Sequence, residues 1–188
     1  MNCVRFRHFA RLNPDGTISR CGHMVRPPRF NSFNEMNASE WNQNLKDWPD
    51  ECVRCKVSES QGKESIRQFS NNQHKELSEA HKDYLIVGGV LDNVCNSACQ
   101  HCNPHLSTKF GAIANNKIVV DNADKFYDFP QERIVKLDIN GGEPTASPNY
   151  KKLLEYLPPN VQYVRINTNG SLRIDPKPLL KRGIDVTI

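Results

Sequence analysis

No apolar run in this sequence approaches the roughly 20 residues that cross a bilayer, and hydrophobic residues make up 37% of the chain. A membrane is therefore not among its expected partners. Like charges never gather into a block of five or six, although 25 basic residues face 21 acidic ones and leave a formal charge of +4. Without a basic tract, nucleic acid is not an expected partner either. The start, Met1-Asn2-Cys3-Val4-Arg5, lacks the apolar core of a signal peptide, so the reducing cytoplasm is the expected compartment and disulfides are not the expected use of thiols. No cysteine follows Cys102. A length of 188 residues suits one full domain or two small ones.

What the sequence does have is thiols: seven cysteines, which in a reducing compartment point to metal rather than to bridges. They fall into two sets. Cys3, Cys21, Cys52 and Cys55 occupy the first third of the chain, and Cys95, Cys99 and Cys102 share one short stretch, "CNSACQHC".

Three segments are expected. Residues 1–70 read as a small α+β metal-binding domain. In it, "RFRHFARL" and "TISRC" flank the turn signal Asn13-Pro14-Asp15-Gly16 as a hairpin. Asn37, with Glu40 three residues on, is expected to cap a helix carrying Trp41, Leu45 and Trp48 on one face until Pro49 stops it. Polar, charged residues from 56 to 83 read mainly as a linker, set at 71–83, with a solvated helix as the alternative. From Tyr84 to Ile188 short β-branched runs alternate with helical patterns, the signature of parallel βαβ units and an α/β fold. The expected strands are "YLIVGGVL", "RIVKLDI", "VQYVRIN" and "IDVTI". Ser147 and Pro148 open a helix whose apolar face is Tyr150, Leu153, Leu154 and Leu157, and a shorter helix runs from Asp175-Pro176 to a cap at Gly183.

The chemistry sits at the ends of those strands. Cys95, Cys99 and Cys102 follow the first strand with the spacing CxxxCxxC, one ligand short of a closed zinc site or a fully protein-bound 4Fe-4S cluster. Two readings fit: an iron-sulfur cluster with one corner open to a ligand, or zinc closed by His105, with His101 lying between the thiols. "NGGEP", Asn140 to Pro144, follows the second strand and so shares the carboxyl edge where α/β folds bind ligands. Its adjacent glycines allow close backbone approach. Thr168-Asn169-Gly170 ends the third strand.

These three motifs, in this order and strand context, resemble the radical S-adenosylmethionine superfamily over about residues 84 to 188. The resemblance implies the first four strands or so of a partial (βα) barrel. It implies that Cys95, Cys99 and Cys102 hold three irons of a 4Fe-4S cluster, with S-adenosylmethionine on the fourth. One electron from the reduced cluster would cleave the sulfonium to methionine and a 5′-deoxyadenosyl radical. Gly141, Gly142 and Glu143 would contact the methionyl amine and His101 the region of the adenine, with Asn167 and Asn169 as weaker candidates on the ligand side. A low-potential donor of flavodoxin or ferredoxin type is implied as partner, and a peptide or protein as substrate. The family barrel continues for about two more strand-helix units, so the expectation is an incomplete copy or one half of a split enzyme.

The upstream thiols follow C-x17-C-x30-C-x2-C, and four thiolates saturate zinc as well as they do iron-sulfur. Their layout resembles the Twitch or SPASM-type auxiliary domains of the same superfamily, though Arg5-Phe6 and Gly22 stand where the commoner Twitch pattern has Trp and a further Cys. The resemblance implies a second 4Fe-4S cluster on Cys3, Cys21, Cys52 and Cys55, for electron relay or support, with zinc as the alternative and His23 as a substitute ligand. Two other classes of function remain beside the enzyme: an iron-sulfur electron carrier without catalysis, and a zinc-binding interaction module.

Overall fold

In the computed structural model, which describes residues 2–43 and 48–188, the β-branched runs become strands and the capped segments between them become helices. The chain opens with helix α1 (Val4–His8), the hairpin strands β1 (Phe9–Leu12) and β2 (Ile18–Ser19), and helices α2 (Phe33–Ala38) and α3 (Glu40–Gln43). Helices α4 (Val53–Ser60), α5 (Ile66–Gln73) and α6 (Lys75–Ala80) follow. Strand β3 (Leu85–Val90) leads to α7 (Thr108–Ile113) and α8 (Ala123–Tyr127), and β4 (Ile134–Asn140) leads to α9 (Pro148–Glu155). Finally β5 (Tyr163–Ile166), α10 (Lys177–Leu180) and β6 (Asp185–Thr187) complete the order.

All six strands belong to one open sheet in the order β2-β1-β3-β4-β5-β6. Strands β1, β3, β4, β5 and β6 run parallel, and β2 pairs antiparallel with β1 at one edge. The fold is thus α/β, as expected, with an open rather than closed sheet. Leu12 lies opposite Gly89, Gly89 opposite Ile139, and Ile139 opposite Ile166. That register brings the carboxyl ends of β1, β3, β4 and β5 level, and the cysteine loop, GGEP and TNG all leave from this edge.

One face of the sheet packs on helices. Leu85, Val87, Leu137, Ile139, Val164 and Ile166 meet Phe126, Phe129, Tyr150 and Leu153 in a single buried cluster. Ser147 caps α9, its hydroxyl accepting from the Tyr150 amide (3.1 Å), and Pro148 occupies the first turn, where its missing N–H costs nothing. Along β4 the opposite face carries Lys136, Asp138 and Asn140, all half-buried.

Several local expectations are corrected. Residues Val4–His8 form a helix rather than the first half of a strand, and coiling sends Val4 and Phe6 into different buried clusters, Val4 beside Phe9, Leu77 and Tyr84 and Phe6 beside Cys3, Cys21 and Met24. The Trp41 segment starts at Ser32, whose hydroxyl accepts from the Glu35 amide, and breaks at Ser39 instead of running from an Asn37 cap; Leu45 of the expected face lies outside the described residues. The 56–83 stretch is largely helical. Ser65 and Gln68 form a reciprocal capping box that starts α5, and Asn71 accepts from the Val4 amide (2.9 Å), docking α5 on α1. Most visibly, the hairpin expected in a separate domain over 1–70 supplies two strands of the same sheet, with β1 beside β3.

Candidate metal and cofactor site

The three strand-end loops are held together by main-chain bonds that the glycines make possible. Gly141 and Gly142 have φ of 83° and 54°, and a Cβ on Gly142 would stand 2.5 Å from the Val94 carbonyl oxygen. That closeness lets the Gly142 amide donate to the Leu106 carbonyl (3.1 Å) and the Glu143 amide to Val94 (2.8 Å). GGEP therefore grips both ends of the cysteine loop. Inside the loop, the Thr108 hydroxyl accepts from the Cys95 amide (3.1 Å), and Ser107 donates to the Ser97 carbonyl (2.7 Å). The Cys102 amide donates to the Cys99 carbonyl (2.9 Å), and the Ser97 amide to the Cys95 sulfur (3.4 Å).

Glu143 ties in the third loop. Its side chain is 1% exposed, and its carboxylate accepts from the Asn169 amide (2.7 Å), the Thr168 hydroxyl (2.7 Å) and both the amide and hydroxyl of Thr145. Burial pushes this carboxyl up, but the Asn169 amide and the two threonines together outweigh it and hold it below the usual glutamate range. Asn169 then reaches back, its side-chain amide donating to Asn96 (3.0 Å) and Ser97 (2.9 Å) in the cysteine loop. Asn167 donates to the side chain of Asn140. All the motif residues are thus at one edge, with Glu143 serving the loops rather than open space and His101 exposed on the turn.

All seven cysteines are free. Cys99 is exposed and Cys95 and Cys102 are half-buried. Among the described residues no three His, Cys, Asp or Glu side chains are grouped closely enough to hold a metal ion. The donor chemistry of the loop nevertheless suits a soft metal or cluster, with three thiols on eight residues and a main-chain amide already directed at one sulfur.

The upstream thiols converge more closely. Cys3, Cys21, Cys52 and Cys55 line one cavity of about 20 Å³, with Met24 and Trp48 among its walls. Burial, then the neighbouring Cys3, Cys21 and Cys55, pushes the Cys52 thiol up to about 12; burial likewise raises Cys3. His23, the expected substitute ligand, lines the same cavity and its amide donates to the Cys21 sulfur (3.4 Å).

Asp92, Ser147 and Thr108 carry contacts that sequence reading did not single out. Buried Asp92 accepts from the Ser147 hydroxyl and, through its other oxygen, from the Val94 amide (3.0 Å), joining the cysteine loop to the start of α9. Ser147 was legible as a cap, but Asp92, the acceptor of its hydroxyl, was not. Comparison with protein-family models, with curated proteins and with solved structures gives no match.

Proposed function

We propose that this chain is an enzyme, or part of one, of the radical S-adenosylmethionine type, working in the cytoplasm with a low-potential flavodoxin- or ferredoxin-like donor on a peptide or protein substrate. The observation that carries the reading is the interlock of three motif loops at one sheet edge: GGEP grips the cysteine loop through two amides, and Glu143 grips TNG through its carboxylate. Cys95, Cys99 and Cys102 would hold a 4Fe-4S cluster. With S-adenosylmethionine bound, that cluster would supply reductive one-electron cleavage of a sulfonium. The chain's own contribution is to fix the loop. Gly142 lets the β4 turn approach the thiols, and Asn169 orients Asn96 and Ser97 between Cys95 and Cys99. Glu143 acts through Thr168 and Asn169, so we assign it a positioning role.

For Cys3, Cys21, Cys52 and Cys55 the proposal is a second metal centre that supports or relays. A second 4Fe-4S cluster is the reading and zinc its alternative, since both match four thiols that line one cavity. Anaerobic reconstitution with iron, sulfide and zinc analysis separates the two. About eight irons per chain mean two clusters, and about four irons plus one zinc assign zinc to the quartet. Dithionite-dependent formation of 5′-deoxyadenosine, lost in Cys99→Ala, is the expected activity. Zinc without iron would overturn the enzyme reading and leave a zinc-binding module; iron without cleavage would leave an electron carrier.

A further inference from the structure

A cavity of about 500 Å³ lies on the polar face of the sheet, between the two cysteine sets. At one end it shares Arg5, His23 and Ile66 with the thiol quartet's cavity, and at the other it reaches Leu106 and Gly141 of the motif loops. Its size is that of a small-molecule site. Its charge is one-sided: Arg5, Arg11 and Arg20 line it against a single carboxylate, Asp138.

These arginines differ from others in the chain. Arg29, Arg67 and Arg133 each pair with a carboxylate, Asp15, Glu59 and Asp83 respectively. Among the described residues Arg5, Arg11 and Arg20 form no ion pair. Arg20 is 4% exposed, and its guanidinium donates only to neutral acceptors: the carbonyls of Arg7 and Phe9 and the side-chain oxygens of Asn37 and Asn42. Its hydrogen bonds are satisfied, but its charge is not balanced. Arg5 rests over the Phe9 ring at 4.8 Å and donates through Nε to Ser70 (2.6 Å), and among the described residues its two terminal nitrogens have no hydrogen-bond partner. The Arg11 side chain has no hydrogen-bond partner among the described residues. Its guanidinium lies across Gly22, where an added Cβ would stand 2.2 Å from Nη1. Glycine at that position clears the place the guanidinium occupies.

We propose that this cavity binds a small ligand carrying a phosphate or carboxylate, held by the forks of Arg5 and Arg11 and drawn in by the field of Arg20. Planar guanidinium forks match such oxyanions in a bidentate manner. On the facing wall Asp138 is already engaged, its Oδ1 accepting from Asn140 (3.3 Å) and its Oδ2 lying 3.9 Å from Arg165, so it does little to offset the three arginines. The proposal stands on the cavity itself, independently of the chemistry assigned to the cysteines.

Isothermal titration of the full chain with inorganic phosphate and, separately, succinate tests it at low ionic strength. Saturable binding of at least one is expected, and the tighter of the two assigns the source as a phosphate ester or a carboxylate. Arg11→Gln should weaken that binding about tenfold or more, the loss expected for a charge-assisted pair. Arg5→Gln should weaken it likewise, and Arg29→Gln should leave it unchanged. Saturable binding of neither anion, or wild-type affinity in a folded Arg11→Gln or Arg5→Gln chain, would overturn the proposal.

Discussion

Glu143 shows what one carboxylate does when it is buried among donors. Removing its charge while keeping its shape, in Glu143→Gln, weakens the bonds from Asn169, Thr168 and Thr145 and places an amide N–H among other donors. A loss of about 2–3 kcal/mol in unfolding free energy is expected, the range for hydrogen bonds to a charged group. Because the folded pKa lies below the unfolded value of about 4.3, this stabilisation is fully present above the unfolded pKa and is lost as pH falls through the folded one. Urea unfolding of both chains should therefore show a constant difference from about pH 7 to 5 that shrinks below about pH 4. An undiminished difference at pH 3 would mean that the ionised carboxylate is not what holds TNG.

At the scale of elements, the docking of the β4–α9 turn on the cysteine loop depends on a single missing methyl. In Gly142→Ala a Cβ would meet the Val94 carbonyl at 2.5 Å, on a backbone whose φ of +54° already disfavours alanine. The turn must back away, breaking the Gly142 and Glu143 amide bonds to the loop. Hydrogen exchange at those two amides should accelerate by about tenfold or more, since each 1.4 kcal/mol is tenfold, and alkylation of Cys95 should quicken with it. Unchanged exchange would mean the loop holds itself. The strands β3, β4 and β5 were readable because β-branched runs ended at turn residues, and α9 because Ser147-Pro148 preceded Tyr150 and Leu153. Helix α1 was hidden because "VRFRH" alternates as a strand does, and α5 and α6 because their few apolar residues sit among charges. The large cavity had a signal that went unused. Buried parallel strands read as continuous apolar runs, so Asp138 and Asn140, two positions apart near the carboxyl end of central β4, mark the part of the face that lines the cavity. The motifs themselves were legible, but the partners of Glu143 were not, since they depend on the register between β4 and β5.

For the molecule as a whole, the sheet makes the two cysteine sets parts of one structure rather than neighbours on a tether. Ala10 and Leu12 of β1 are 0% and 2% exposed, and β1 pairs along β3 from Phe9–Ile86 to Leu12–Gly89. Asn122 fastens the same junction from outside the sheet, its side-chain amide donating to the carbonyls of Asn13 and Val90, both at 3.0 Å. Removing residues 1–83 would strip β3 of one of its two partners, expose an apolar edge and leave the buried Asn122 amide with half its bonds. The fragment 84–188 is therefore expected to show no cooperative urea transition by circular dichroism and to elute as aggregate, whereas the whole chain should unfold in one step that carries both regions. A monomeric fragment with its own sharp transition would instead establish the segment as a domain that folds alone. The distinction has a chemical consequence. If one sheet carries both thiol sets, any metal bound at the quartet stabilises the platform beneath the CxxxCxxC loop by mass action. Loss of metal from Cys52→Ala should then lower the unfolding midpoint of the entire chain, not of its first third alone.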